Sequence, residues 1–330
     1  MWRRVVAAGL LAAGCVLAGG PAGAQGLSPD TINKAEVKNP GKGKGADPAM
    51  IKAQVLLDRA RFSPGVIDGR NGENVQKAVA AFQRANGLKD SGNLDQETWA
   101  KLTQTSNEPV VKEYAITDED AKGPFVDKIP GKMEEQAELD RLAYTSLREA
   151  LAEKFHMDED LLKALNPGKA IDKVGETIIV ANVENTRPKG EKGAVTKIEV
   201  DKKQHELRAY GKDGKLLAVY PASIGSEEKP APSGEFEVRV VAPNPSYTYN
   251  PEYQFKGVKS DKKFTIKPGP NNPVGAVWID LTKESYGIHG TPEPDKVGKT
   301  YSHGCVRLTN WDVRDLAGMV EKGTKVAFLD

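Results

Sequence analysis

Two of the four histidines and one of the two cysteines fall within residues 285–308, where Tyr286-Gly-Ile-His-Gly-Thr291 is followed by Ser302-His-Gly-Cys-Val-Arg-Leu308. A cysteine near a histidine is a candidate nucleophile–base pair: the thiolate attacks, and imidazole takes its proton or holds it as an ion pair. In an extended segment His303, Cys305 and Arg307 share one face, because side chains alternate. Gly304 frees the backbone, so that amide N–H groups near the sulfur can meet a developing oxyanion. Arg307 adds a permanent cation that can hold a carboxylate through two parallel hydrogen bonds. The chemistry these residues suit is acyl transfer at a carbonyl close to an anionic group. Two other readings stay open: a buried cysteine with incidental histidines, and a three-ligand zinc site of Cys305 and the two histidines, which lacks a fourth ligand at the usual spacing.

The surroundings bear on that thiol. The first 24 residues have the pattern of an export signal, with Arg3 and Arg4, an apolar run from Val5 to Ala18, and the small residues Ala22-Gly-Ala24 before Gln25. The run is too short to span a membrane comfortably, so a soluble protein in the periplasm or cell envelope is expected. Leu11-Ala-Ala-Gly-Cys15 resembles a lipoprotein box with Ala12 in place of the usual Leu, and anchoring through Cys15 is the alternative. Cleavage after Ala24 leaves Cys305 as the one remaining thiol, in a compartment where cysteines normally pair. A solitary activated thiolate there is expected to be prone to sulfenylation or mixed disulfides. A formal net charge of +1 gives no basic excess, which argues against nucleic acid as a partner.

The elements that must position the motif lie in a mainly β stretch over 194–330. Ile198 and Val200, Leu207 and Ala209, and Phe236, Val238 and Val240 alternate as half-buried strands do. Asp213-Gly214 suits a hairpin turn, and 276–281, 287–289 and 325–329 add strands. Thr309 caps a helix whose apolar stripe is Val313, Leu316, Ala317 and Val320. Tyr247, Tyr249, Tyr253 and Phe255 fall in a Pro-rich insertion, 242–260, and either close over the site as a lid or anchor the loop in the core.

Upstream, residues 25–47 read as a flexible linker rich in Lys, Gly and Pro. Residues 48–104 read as a small three-helix domain, with Val75, Val79 and Phe82 on one face and Trp99 and Leu102 buried by a short third helix. Residues 105–139 read as a second linker. Residues 140–183 read as a compact unit of two short helices, Asn166-Pro-Gly168 and the β-branched strand Thr177-Ile-Ile-Val180, with 184–193 a third linker. The fold class expected is multidomain α+β.

Three resemblances follow from these residues. Gln76-Lys-Ala-Val-Ala-Ala-Phe-Gln-Arg-Ala-Asn-Gly-Leu88 and Gly92-Asn-Leu-Asp-Gln-Glu-Thr-Trp99 resemble the peptidoglycan-binding three-helix family. The unit at 140–183 resembles a LysM module in which Ala143-Tyr144 replaces the usual opening Gly-Asp; a glycan-binding module and a structural spacer both fit. The two-part motif, with His289 and Cys305 separated by 16 positions, and the upstream Pro268-Gly-Pro-Asn-Asn-Pro-Val-Gly275 resemble the L,D-transpeptidases of the YkuD type. Lys267 stands where relatives often carry another Pro.

That last resemblance implies Cys305 as nucleophile and His289 as base and then acid, oriented by the Gly290 carbonyl. It implies an oxyanion hole from the amides of His303, Gly304 and Cys305, with Arg307, Ser302, His303 and Tyr286 meeting the substrate. The implied reaction joins the third residue of a peptidoglycan tetrapeptide stem to Cys305, with loss of D-Ala, and passes the acyl group to an amine of another stem or of an envelope protein. Water as acceptor would make the enzyme an L,D-carboxypeptidase, and a wall-binding protein with a decayed catalytic domain is the non-enzymatic alternative. No cofactor is needed by such chemistry, and carbapenems are the implied covalent inhibitors.

Overall fold

The computed structural model describes residues 26–37, 45–184, 190–226, 229–253, 258, 260–302 and 304–330. The segment expected to be an export signal lies outside them, as do 38–44 and 185–189 of the expected linkers. Among the described residues no helix is long and apolar enough to cross a membrane.

The N-terminal half runs α1 (Pro29–Asn33), α2 (Pro48–Arg59), α3 (Glu73–Ala85), α4 (Gln96–Thr103), β1 (Val111–Ala115), α5 (Asp118–Ala121), α6 (Met133–Gln136), α7 (Leu147–Lys154), α8 (Glu159–Leu165) and β2 (Thr177–Ala181). The helix starts are written in the sequence: Ser28, Asp47, Asp95, Ser146 and Asp158 each accept a hydrogen bond from an amide of the first turn. The three-helix face is buried as its spacing requires, with Val75, Val79, Phe82, Trp99 and Leu102 all in the core.

Three expectations are corrected here. Residues 29–33 are helical rather than a flexible linker, because Pro29 starts the turn and Ile32 is fully buried. Asn33 then fastens α1 to β1, accepting from the amides of Val110 and Val111 at 2.8 and 3.0 Å. The second linker contains β1, which pairs antiparallel with β2, Val111 opposite Ala181 and Ala115 opposite Thr177. The unit placed at 140–183 therefore has its opening strand well upstream. Third, the two small units are not separate: Ile51, Leu57, Phe82 and Leu102 belong to the same apolar core as Leu151, Phe155, Leu162 and Ile178.

The C-terminal half holds β3 (Lys197–Asp201), β4 (Glu206–Tyr210), β5 (Leu216–Pro221), β6 (Ser223–Ile224), β7 (Gly234–Pro243), β8 (Tyr247–Tyr249), β9 (Phe264–Ile266), β10 (Val277–Leu281), β11 (Gly287–His289), β12 (Val306–Arg307), α9 (Asn310–Ala317) and β13 (Lys325–Leu329). Among the described residues, nine of these strands form a mixed sheet in the order β5-β4-β3-β13-β7-β10-β11-β12-β6, and β8 pairs with β9 as a separate hairpin. The inward residues of the alternating strands, Ile198, Val200, Leu207, Ala209 and Val238, close a second core under α9 with Val313 and Leu316.

The halves are docked through polar contacts. Arg61 pairs with Asp315 of α9 at 3.1 Å, and Tyr220 donates to the same carboxylate at 2.7 Å. Ser63 donates to the buried Asp312 at 2.8 Å. The His156 and Trp311 rings stack 5.0 Å apart. Beside β5, Phe62 forms a parallel bridge with Val219, whose amide donates to the Arg61 carbonyl at 2.8 Å.

Candidate active site

Two neighbouring parallel strands carry the chemistry. In the β11–β12 pairing Ile288 lies opposite Val306 and His289 opposite Arg307, so Cys305, just before β12, lies level with Gly287. The connection between the motif's two halves is thereby closed into adjacent strands. Gly287 is forced by its neighbour, since a Cβ there would run into the Trp278 ring at 2.5 Å.

Cys305 is half-buried and free. Its sulfur lies 3.7 Å from the Ser285 carbonyl, to which the thiol donates, and it accepts from the Gly287 amide. Burial pushes the thiol up to about 11, with the Gly287 amide and the Arg307 charge pulling the other way. His289 is buried against Trp278, ring centroids 5.6 Å apart and planes 21° from parallel. Burial first, and the Arg307 cation second, lower its pKa to about 3; the Gly290 carbonyl opposes them. The resting pair is thus neutral thiol and neutral imidazole. Of the two options left open by the residues alone, burial of both groups favours proton transfer during attack over a preformed ion pair. The same burial bears on the expected sulfenylation, because it disfavours the thiolate that peroxide attacks.

The imidazole tautomer is set. His289 Nδ1 is 2.6 Å from the Gly290 carbonyl oxygen. A carbonyl can only accept, so Nδ1 carries the hydrogen and Nε2 keeps its lone pair.

Around this pair, Ser302 is buried and ties the loop on both sides, accepting from the Gly225 amide at 2.7 Å and donating to the Cys305 carbonyl. Gly304 has φ +107°, which L side chains rarely adopt, and a Cβ there would press on the Tyr286 ring at 3.1 Å. Neither the Gly304 nor the Cys305 amide donates a hydrogen bond among the described residues. Arg307 is half-buried, and its Nε is a buried donor without a partner among the described residues. Burial lowers its pKa, offset by Glu293 and Cys305. Tyr286 reaches the Pro230 carbonyl at 3.4 Å. His303 lies outside the described residues, so its expected oxyanion and substrate contacts have no geometry. Among the described residues no three His, Cys, Asp or Glu side chains come together to hold a metal.

Of the two roles expected of the aromatic insertion, anchoring is seen at Tyr249. Tyr249 is buried and stacks on Phe264 at 4.8 Å, anchoring the β8–β9 hairpin. Tyr247 faces the site: burial and the nearby Cys305 raise its phenol pKa. Tyr253 contributes backbone to a short 3-10 turn, and Phe255 lies outside the described residues.

Residues outside the motif complete the site. Trp278 walls His289, and Asn310 accepts from the Ala276 amide at 2.8 Å beside Gly290. Asn74 of α3 donates to the Val297 carbonyl at 2.9 Å, holding the loop between the motif's halves. The only sequence signals for them were a Trp in an alternating strand, an Asn after a helix cap and an Asn at a helix start.

Residues 196–327 match the family model described as "L,D-transpeptidase catalytic domain", and residues 46–102 the one described as "Putative peptidoglycan binding domain". The chain is 32% identical over 183 residues to "Putative L,D-transpeptidase YkuD" of Bacillus licheniformis, an alignment covering 54% of this chain and 91% of that protein. It is 36% identical over 137 residues to "Putative L,D-transpeptidase YqjB" of Bacillus subtilis, covering 40% of this chain and 69% of that one. The solved "L,D-transpeptidase from Mycobacterium smegmatis" aligns over 47% of this chain and 66% of its own, at 19% identity and a TM-score of 0.35.

Proposed function

The chain belongs to the L,D-transpeptidase family, and on that premise we propose that it is a cysteine acyltransferase acting on peptidoglycan stem peptides in the cell envelope. Cys305 attacks the carbonyl of the third residue of a tetrapeptide stem while His289 Nε2 takes the thiol proton. The amides of Gly304 and Cys305, with that of His303, hold the oxyanion. The C–N bond to the terminal D-Ala breaks as His289 returns the proton to the leaving amine, giving a thioester. An amine of a second stem or an envelope protein then forms the new amide; its proton returns through His289 to the departing sulfur.

The observation that carries this reading is the Nδ1 contact to the Gly290 carbonyl, which leaves Nε2 of a neutral imidazole as the proton acceptor. Arg307, half-buried with its Nε a donor to spare, suits a carboxylate on the stem. Ser302 and Tyr286 shape the loop against which the stem would lie. The export reading of residues 1–24 places the thiol where such stems are, and the N-terminal half would hold the wall nearby, the 140–183 unit serving either as a LysM-like glycan contact or as a spacer.

The test is incubation of the purified chain with a disaccharide tetrapeptide, followed by mass spectrometry. Dimers with loss of D-Ala are expected; tripeptides alone would make it a carboxypeptidase. Cys305→Ala should abolish both products and the covalent adduct with a carbapenem. Undiminished adduct formation in that variant would overturn the mechanism.

A further inference from the structure

Gly290 packs directly against a side chain from another element. The Asn310 Oδ1 accepts from the Ala276 amide at 2.8 Å and fills the space that a side chain at Gly290 or Gly275 would need. Its other end, Nδ2, donates to the Pro270 carbonyl at 3.1 Å and to Glu153 Oε2 at 2.9 Å. Asn310 is fully buried. Turned the other way, its amide would set Nδ2 against the Ala276 N–H, donor facing donor, and an unmade bond at a buried site is costly. Which way it points therefore depends on acceptors at the Nδ2 end.

Glu153 supplies the charged one. It stands on α7, in the N-terminal half, with its side chain 10% exposed. A carboxylate only accepts, so it can pair only with the nitrogen end of the amide. Its second oxygen is itself fixed, accepting from Tyr144 at 2.6 Å and from Arg314 at 3.1 Å. A continuous set of contacts thus runs from the N-terminal core through Glu153 and Asn310 to Gly290, whose carbonyl orients the imidazole.

We propose that Glu153 is a positioning residue for His289, fixing through Asn310 the Gly290 peptide that selects the imidazole tautomer. The inference rests on the reading of His289 as the base. It makes the active site a product of both halves of the chain.

The experiment uses the full chain and two readouts: the rate of acylation by a carbapenem, and nitrogen NMR of labelled histidine, tractable with four histidines. Glu153→Ala should slow acylation roughly tenfold to a hundredfold, as small misplacements of a catalytic group do, with little change in apparent affinity. It should also convert His289 from its Nδ1–H form to a tautomer mixture. Glu153→Gln, which can still accept from Asn310, should keep most of the rate. Asn310→Asp, setting acceptor against acceptor, should lose it, and combining it with Glu153→Gln should recover part by reversing donor and acceptor.

Wild-type acylation and an unchanged tautomer in Glu153→Ala would overturn the proposal. So would a slowed Glu153→Ala whose tautomer is unchanged, or a double variant that recovers nothing, because either outcome makes Glu153 merely structural. If the wild type itself is not acylated, the transpeptidase reading fails, and the NMR arm still decides the role of Glu153.

Discussion

Trp278 and His289 stand opposite each other on antiparallel strands, and their rings stack at 5.6 Å. The tryptophan is part of the apolar wall that makes protonation of the imidazole costly. Trp278→Ala lets water reach the ring, so the His289 pKa should rise from about 3 toward its ordinary 6.5. The acid limb of the kcat/KM profile should move up with it. Stability should follow. Between 6.5 and about 3 the unfolded chain binds a proton that native His289 refuses, so stability falls as pH drops through that window. In the variant the window narrows, and denaturant midpoints at about pH 7 and about pH 4, one above the window and one inside it, should differ less than in the wild type. An acid limb that stays in place would show that Trp278 does not shield the base.

The thiol offers an independent check. Its alkylation by iodoacetamide should climb with an apparent pKa of about 11. At neutral pH the thiolate fraction is small, so brief exposure to peroxide should leave activity and mass unchanged. Titration in the ordinary cysteine range, or rapid sulfenylation, would mean that the sulfur is less desolvated in solution than its surroundings imply.

Helix α1 should matter to stability out of proportion to its length. Ile32 is fully buried in the core shared by the N-terminal units. Ile32→Ala should cost about 2–5 kcal/mol of unfolding free energy, read from urea denaturation. A change below about 0.5 kcal/mol, the scale of surface substitutions, would show that α1 is not docked.

The motif was legible because its chemistry is local: Cys305, His289, Arg307 and the glycines sit in two short runs whose residue types restrict what they can do. The strands of the C-terminal half were legible from alternation, and the helices from caps and apolar stripes. What the sequence hid depends on partners distant along the chain. β1 carries one period of alternation, and its mate is β2, reached only after four helices, α5 to α8. Glu153 sits on the polar side of an amphipathic helix, where an acidic residue ordinarily faces water. The fusion of two small units into one core was hidden for the same reason, since each unit's apolar face looks self-sufficient when read alone.

The bridge between Phe62 and Val219 has a consequence for handling the protein. β5 is one of the two edge strands of the nine-stranded sheet formed by the described residues, and the N-terminal half covers its open side with the Arg61 carbonyl and the Ser63 amide. A catalytic fragment cut free in the 184–193 connection would carry that row of backbone donors and acceptors uncovered. Such an edge is a template for strand-to-strand self-association. The N-terminal half is, in that sense, a built-in guard against aggregation of the enzyme it accompanies.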